Sequence, residues 1–336
     1  MATGSTVVWV GAVAMAVSGW AAAQVGSGST AQPHAKPLKR AAWTLVDVGT
    51  LGGPGSYGAA VNNAGVVVGC ADVAGSGTHA FVYQAGSMRD LGTGSDSGDG
   101  NSCALAVNDQ GVVAGRAATG ELVEWNGASV THLGIKGNVT GINGAGVVVG
   151  SINDGTATRA FMYRDGVVTD LGNLGTNANP SSSANAINAR GQVAGNSNNH
   201  AFLYENGAMR DLGTLGGASS IAKGIDDRGD VVGMAGDANG VPTPFIDAGV
   251  MQALPAPTYS AAIAINNRGQ VVGSGEGIYG YLVDNGTLTR LDTIAAVTAQ
   301  GWRHLEPTGI NDRGWIVGTA TTPTGDLRAF LLIPGA

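Results

Sequence analysis

Short runs of apolar residues, each closed by a glycine-rich polar turn, fill the chain from residue 43 to its end. The most regular run has the form Ile-Asn-x-Arg-Gly-x-Val-x-Gly, as in 187–195 and 265–273. Valine-rich stretches of this length between Asn, Asp and Gly are typical of β-strands. The 57 glycines also disfavour helices, because each costs a helix interior about 1 kcal/mol relative to alanine. The pattern predicts an all-β protein.

The run belongs to a repeat. A first block occurs seven times, with its second residue at 62, 108, 143, 188, 226, 266 and 311. A second block follows it and is clearest at 200–213, HAFLYENGAMRDLG. The two blocks predict four short strands per unit, with tight hairpins at the Asn-Gly or Asp-Gly pairs that begin at Asp165, Asn206 and Asn285. A spacing of 35 to 46 residues suits a four-stranded propeller blade.

The two ends of the repeat complement each other. The seventh copy stops after its third strand, whereas the segment 43–53 near the N-terminus matches the fourth-strand segment 209–217. An N-terminal strand that completes the last blade would close a ring and cover both sheet edges. We therefore predict a seven-bladed β-propeller over residues 41–336. An open β-solenoid is the alternative, but it needs no complementary strand.

The blocks HAFLYENGAMRDLGTLGG and AINxRGQVVG, in the regions 200–217 and 264–273, resemble the HAF-repeat family of predicted extracellular bacterial proteins. The resemblance extends from Trp43 to the C-terminus and is most specific in copies one, three and four. It implies export and a repeat fold. It implies no reaction and no catalytic residues.

The N-terminus predicts a secreted protein. Residues 7–23 form an uncharged apolar run that ends in Ala-x-Ala, so we interpret 1–23 as a signal peptide, although no Lys or Arg precedes the run. Residues 24–40 are expected to be a disordered polar linker. No further run suggests a transmembrane anchor, so the expected location is extracellular or periplasmic. The formal charge of −7 and the scarcity of lysine argue against nucleic acid as a partner.

The chain contains two cysteines, Cys70 and Cys103. They fall at the end of the second strand of blade one and the start of the first strand of blade two. In an oxidising compartment these positions predict a disulfide between neighbouring blades, with two free thiols as the alternative.

Candidate binding residues lie in the long connections, which share one face of the ring. The segment Trp302, Arg303, His304 and Glu306 departs most from the repeat, and we predict that Tyr279, Tyr259 and Glu276 join it across neighbouring blades. Tryptophan and tyrosine stack on sugars, and arginine pairs with carboxylates. The alternative is an exposed loop whose tryptophan covers the blade edge.

Other motifs give no site. The oxygen-rich stretch 95–101 lacks the spacing of a helix-loop-helix calcium site. His79 and His200 recur in the repeat, which favours structural hydrogen bonds, and two Gly-x-Gly-x-x-Gly matches precede strands instead of helices. The recurrent Asp47, Asp90, Asp170 and Asp211 are expected to bind backbone N–H groups. We expect no metal and no cofactor.

These observations favour a non-enzymatic binding or interaction module at the cell surface or outside the cell, with an extracellular glycan or a surface protein as partner. The alternative is a propeller enzyme, a polysaccharide lyase or hydrolase, with its site at the channel mouth. Convergent titratable residues are few outside 302–306, which favours binding. A purely structural surface protein is a third hypothesis.

Overall fold

The computed structural model describes residues 42–75, 77–95, 100–175, 181–275 and 277–335. The described residues form 28 strands in seven antiparallel sheets of four. The sheets stand as blades around a central channel, which confirms the predicted seven-bladed β-propeller. The predicted signal peptide, the linker and four residues of the 95–101 stretch lie outside the described residues. No helix in the described part is long and apolar enough to cross a membrane.

Blades 1 to 3 follow the chain in order, and each runs from the channel outwards. Blade 1 comprises β2 (Gly52–Val61), β3 (Val67–Val73), β4 (Thr78–Gln84) and β5 (Ser87–Asp90). Blade 2 comprises β6 (Cys103–Val107), β7 (Val113–Arg116), β8 (Glu121–Asn126) and β9 (Ser129–Lys136). Blade 3 comprises β10 (Asn138–Ile142), β11 (Val148–Asn153), β12 (Thr158–Arg164) and β13 (Val167–Asp170).

Blades 4 to 6 repeat this arrangement. Blade 4 comprises β14 (Ser182–Ile187), β15 (Val193–Ser197), β16 (His200–Glu205) and β17 (Ala208–Gly213). Blade 5 comprises β18 (Gly216–Ile225), β19 (Val231–Asp237), β20 (Pro242–Asp247) and β21 (Met251–Ala253). Blade 6 comprises β22 (Ala261–Ile265), β23 (Val271–Gly275), β24 (Ile278–Asp284) and β25 (Thr287–Arg290).

Blade 7 takes its strands from both ends of the described chain. It contains β26 (Arg303–Ile310), β27 (Ile316–Thr321) and β28 (Leu327–Ile333), and β1 (Thr44–Asp47) pairs antiparallel with β28 as the outer strand. Leu45 and Val48 of this N-terminal segment are buried. The connection from blade 6 carries a 3₁₀ turn (Leu291–Thr293) and a short helix α1 (Ala295–Gln300). The Gln300 side chain donates to the Leu45 carbonyl over 3.1 Å, which ties this connection to β1.

The hairpins between third and fourth strands have the predicted chemistry. Asn206, Asp165 and Asn285 adopt φ of 51°, 49° and 48°, and the glycine after each also has positive φ. Two successive left-handed residues form the turn that fits the twist of a hairpin. The expectation of tight Asn-Gly and Asp-Gly turns is confirmed.

Aromatic rings fill the space within and between blades. Phe81, Phe161, Phe202, Phe245, Tyr281 and Phe330 are fully buried at equivalent positions of the third strands. Each stands opposite a glycine of the second strand, and a Cβ on Gly69 would lie 2.9 Å from the Phe81 ring. In blade 2 the equivalent residue is Val123, and the Trp125 indole lies beside Gly115 instead. The glycines therefore make room for one large ring per blade.

A ring of asparagines joins the blades at the short-turn face. The Nδ2 of Asn62 donates to the Asn108 carbonyl in the next blade over 2.9 Å, and the same bond recurs in every blade except blade 5, which has Asp226 at this position. The last such bond, from Asn311 back to the Asn62 carbonyl over 2.9 Å, closes the ring. The positive φ in these turns falls on the later glycine, such as Gly65, and not on the asparagine. The asparagine Oδ1 instead accepts backbone N–H groups of its own turn.

The innermost strands share a register shift that shapes the channel. Each strand bulges at one equivalent residue, and the seven bulge residues line a channel of about 450 Å³. Where the bulge residue is polar and short, it donates to the neighbouring blade, as Thr308 does to the Gly58 carbonyl over 2.9 Å. Lys223 of blade 5 is the exception, being charged and exposed. The remaining members are Ala59, Leu105, Thr140, Asn185 and Ile263.

Candidate functional site

A concave pocket lies on the long-loop face between blades 6 and 7. Its volume is about 470 Å³, within the roughly 300–1,000 Å³ typical of small-ligand sites. Strands β23, β24 and β25 supply one wall, and the start of β26 supplies the other. The residues that line it are Gly275, Gly277, Tyr279, Gly280, Arg290, Asp292, Trp302, Arg303, His304, Leu305 and Glu306. The structure therefore brings five of the seven predicted binding residues together, and Glu276 lies outside the described residues.

The blade 6 wall departs from a pair that other blades share. In blades 1 and 4, a histidine that opens the third strand contacts an aspartate eleven residues later: His79 lies 2.9 Å from Asp90, and His200 lies 2.8 Å from Asp211. In blade 6 the same two positions hold Tyr279 and Arg290. The Arg290 guanidinium lies 3.8 Å from the centroid of the Tyr279 ring. The histidine–aspartate pair of blades 1 and 4 is thus replaced in blade 6 by an aromatic ring and a cation at the pocket wall.

Arg290 is held in place from a second side. Its Nη2 and Nε donate to the two carboxylate oxygens of Asp292 over 2.6 and 3.0 Å. These hydrogen bonds, together with the nearby negative charge, raise the pKa of Arg290. The bidentate geometry fixes the guanidinium plane against Tyr279. Arg290 and Asp292 are binding candidates that sequence reasoning missed. The signal was present, since Arg290 replaces the recurrent aspartate.

The blade 7 wall is formed by an irregular strand. The pairing of β26 with β27 shifts between Arg303 and Glu306, and His304 adopts a left-handed φ of 50°. A bulge redirects side chains that would otherwise alternate across the sheet. Arg303, His304 and Glu306 are all exposed. Among the described residues, none of these three side chains has a hydrogen-bond or ion-pair partner, so their polar groups are available to a ligand.

Trp302 does not serve as an exposed stacking platform. It is only 7% exposed and packs in a core cluster with Leu291, Ile294 and Val297 beneath the connection. Its indole Nε1 donates to no group in the described part of the chain. Trp302 reaches the pocket wall as a buried support, so the structure favours the alternative in which this ring covers the blade.

Tyr259 does not line the pocket. It is 63% exposed in the connection between blades 5 and 6, where its φ is 60° and its N–H donates to the Pro242 carbonyl over 2.6 Å. Its carbonyl, and not its ring, lies against Gly275. The grouping of Tyr259 with Tyr279 was wrong because the left-handed turn places only its backbone beside blade 6.

Two glycines shape the pocket: Gly280 allows two strands to approach closely, and Gly277 leaves open space. A Cβ on Gly280 would collide with the Leu305 carbonyl of the neighbouring blade, so only glycine lets β24 approach β26 there. Gly277 has a φ of 66° and open space beside its Cα. The second Gly-x-Gly-x-x-Gly match of the sequence, 275–280, therefore has a structural role at the pocket floor.

The other candidate features have structural partners. The backbone N–H groups of Gly49, Gly92, Gly172 and Gly213 donate to Asp47, Asp90, Asp170 and Asp211, as predicted. Arg190 and Arg228, two of the four arginines at equivalent short turns, donate to backbone carbonyls of the next blade. In the described part of the chain, no group of three or more His, Cys, Asp or Glu residues could hold a metal ion.

Cys70 and Cys103 are joined in a disulfide in the structure. Their Cα atoms are 4.8 Å apart, within the range that a disulfide requires. The bond links β3 of blade 1 to β6 of blade 2, which are neighbouring blades. It therefore adds a covalent link where other blade pairs rely on packing and hydrogen bonds.

Comparisons with known proteins show the fold and no family. No protein-family model and no curated protein matches the sequence, so the likeness to HAF-repeat proteins stays a prediction. The extracellular domain of a hybrid two-component system from B. thetaiotaomicron is 13% identical, with a TM-score of 0.53 over 85% of this chain. This chain covers only 39% of that one.

Two further solved structures are propeller domains. The β-propeller domain of the Trilobed protease from Pyrococcus furiosus is 11% identical, with a TM-score of 0.53 over 82% of this chain and 93% of its own. The WD40 propeller domain of Doa1 is 14% identical over 86% and 97% of the two chains, with a TM-score of 0.49, too low to carry an argument. At such identities the likeness establishes the propeller class alone.

Proposed function

We propose that this chain is an exported, non-enzymatic binding module that holds its ligand in the pocket between blades 6 and 7. The observation that carries the proposal is the convergence of Arg303, His304 and Glu306 at one concave site, each exposed and without a partner in the described chain. By contrast, Arg159 of blade 3 and Arg290 of the same pocket are held in ion pairs. Unpaired donors and acceptors beside an aromatic ring are the usual composition of a ligand site.

The pocket geometry favours binding over catalysis. Canonical glycoside hydrolysis uses two carboxylic groups that face each other across the bond to be broken. Among the described lining residues, Glu306 is the one carboxylate without an ion-pair partner, because Asp292 is engaged by Arg290. A hydrolase or lyase remains the competing hypothesis, and release of new sugar ends from a polysaccharide would support it.

Two observations support export. The sequence pattern of 1–23 is that of a signal peptide. The disulfide between Cys70 and Cys103 belongs to the kind of crosslink that persists in oxidising compartments. One similar structure is an extracellular domain, which agrees with this location. Cell fractionation of the full-length chain, with N-terminal sequencing of the product, tests export; an unprocessed chain in the cytoplasm would contradict it.

The binding proposal is tested with an array of immobilised glycans and cell-surface peptides, using the full chain and the double variant Tyr279→Ala/Arg303→Ala. We expect a hit that the double variant loses. Arg210→Gln, an exposed arginine in blade 4, is the control and should retain the hit. Trp302→Ala is unsuitable, because removing a buried tryptophan costs about 3–5 kcal/mol of stability. A hit that survives the double variant would place the site elsewhere.

A further inference from the structure

The two charged side chains that flank His304 at the blade 7 wall carry opposite charges and are free. Arg303 and Glu306 both line the pocket, yet they form no ion pair with each other or with another described residue. A guanidinium can only donate hydrogen bonds, and an ionised carboxylate can only accept them. One ligand that satisfies both must therefore offer an acceptor and a donor.

We infer that the ligand is a neutral sugar, bound through two neighbouring hydroxyl groups between Arg303 and Glu306; this inference rests on the proposed binding function. A hydroxyl group has one donor and two acceptor sites, so one hydroxyl accepts from Arg303 while its neighbour donates to Glu306. Both bonds are charge-assisted, and such bonds are about twice as strong as neutral ones. A polypeptide backbone offers donors and acceptors too, but it lacks two adjacent groups that each do both.

The opposite wall suits the apolar face of a sugar ring. Tyr279 is half-buried, and Arg290 and Asp292 fix it at one edge of the pocket. A ring held in one orientation loses little conformational entropy when a ligand packs against it. Gly277 has open space beside its Cα, so no side chain of this residue fills the pocket there.

The charges around the pocket disfavour ionic ligands. The described charged groups that line it are Arg290 and Arg303, which are positive, and Asp292 and Glu306, which are negative; His304 lies beside Arg303 on the blade 7 wall. A carboxylate on the ligand would gain from Arg303 but meet Glu306. An ammonium group would have the reverse problem. Because Asp292 already neutralises Arg290, the pocket favours neither an anionic nor a cationic ligand over a neutral ligand.

The test is ligand-observed saturation-transfer NMR on the full chain, with methyl glycosides of glucose, galactose and mannose as probes. A matched pair isolates charge: the methyl glycoside of galacturonic acid, which is an ionised carboxylate at neutral pH, and its methyl ester, which has the same hydroxyl groups without the charge. We expect at least one neutral glycoside to bind. We also expect the ester to bind at least tenfold more tightly than the acid if the galacto configuration is accepted.

Two variants test the residues. Glu306→Gln and Arg303→Gln should each weaken the binding of the neutral probe at least tenfold without changing the thermal midpoint, because both side chains are exposed and unpaired. Arg210→Gln and Asp165→Asn, exposed charges in other blades, are matched controls and should leave binding unchanged. Competition between the NMR probe and any hit from the array shows whether both use one pocket.

The outcomes separate the two proposals. An acid that binds as tightly as its ester, or a pocket ligand that is a peptide, would overturn the inference and leave the binding function standing. Neutral sugars that bind equally well to Glu306→Gln and Arg303→Gln would overturn the inference as well. The binding function itself fails if neither the glycosides nor any array member binds in a way that depends on Tyr279 and Arg303.

Discussion

Replacing Asp226 with asparagine is expected to stabilise the protein, because it would complete the ring of hydrogen bonds that asparagine side chains donate between blades. Six of the seven blades have an asparagine whose Nδ2 donates to a backbone carbonyl of the next blade, and the bond from blade 7 to blade 1 is one of the six. Blade 5 has Asp226 at this position, and a carboxylate cannot donate. Its side chain is fully buried, and its Oδ2 has no hydrogen-bond donor in the described structure.

The magnitude follows from the contacts of each carboxylate oxygen. Oδ1 of Asp226 accepts the backbone N–H groups of Arg228, Gly229 and Asp230, and an asparagine Oδ1 keeps these bonds, as it does at Asn266. The new cross-blade bond contributes about 1 kcal/mol, and removing a buried oxygen without a donor contributes about 1–3 kcal/mol. The substitution also removes the ion pair with Arg228, whose Nη2 lies 2.7 Å from Oδ2 but outside hydrogen-bonding geometry. Because the Arg228 guanidinium is half-exposed, we take the loss of this pair as about 0–1 kcal/mol.

We therefore expect Asp226→Asn to raise the free energy of unfolding by about 1–4 kcal/mol at neutral pH. The gain should depend on pH. Burial raises the pKa of Asp226 above its ordinary 3.8, so the native state binds the proton more tightly than the unfolded state. The contribution of Asp226 is most favourable below pH 3.8 and is lost as pH rises through its raised native pKa. The advantage of the asparagine variant should grow over the same interval.

The assay is urea denaturation followed by tryptophan fluorescence, at pH 4 and pH 7, with the wild type and the variant side by side. Asn188→Asp is the matched converse, because it breaks an existing bond to the Asp226 carbonyl of 2.9 Å and should destabilise. A variant that is less stable than the wild type at pH 7, or a difference that is equal at both pH values, would refute the reasoning.

Three further predictions concern the blade junctions. Cys103→Ser should lower the free energy of unfolding by up to about 3–4 kcal/mol, since the disulfide closes a loop of 33 residues. Thiol labelling of the unfolded, unreduced wild type should find no free thiol, and labelled thiols would contradict the bond. Leu45→Ala in β1 should lower the free energy of unfolding, measured by urea denaturation, by about 2–5 kcal/mol. Thr44→Ala, at an exposed position, should lower it by less than about 1 kcal/mol, and equal effects would argue against docking of β1 on blade 7. Gly280→Ala should lower the thermal midpoint more than Gly277→Ala, because only the first places a Cβ against the neighbouring blade; the reverse order would count against the close approach of the two strands.

Much of the fold could be predicted because its determinants are local. Valine-rich runs specify the strands and the Asn-Gly and Asp-Gly pairs specify the hairpins, each within a few residues. A period near 42 residues specifies the blades. The segment at Trp302 to Glu306 could also be singled out, because a repeat exposes any copy that departs from it. Sequence could not assign the ring asparagines, because their partners lie a whole blade away.

The sequence by itself determined the seven units, their strands and turns, and the residue types available at the blade 7 wall. Only the tertiary structure decided which of those residues meet. It buried Trp302 under the connection, kept Tyr259 out of the pocket and brought Arg290 onto Tyr279. Strand and turn formation depends on neighbours along the chain. These three outcomes depend instead on tertiary packing: of Trp302 beneath the connection, of the left-handed turn at Tyr259, and of Arg290 against Tyr279 across two strands of blade 6.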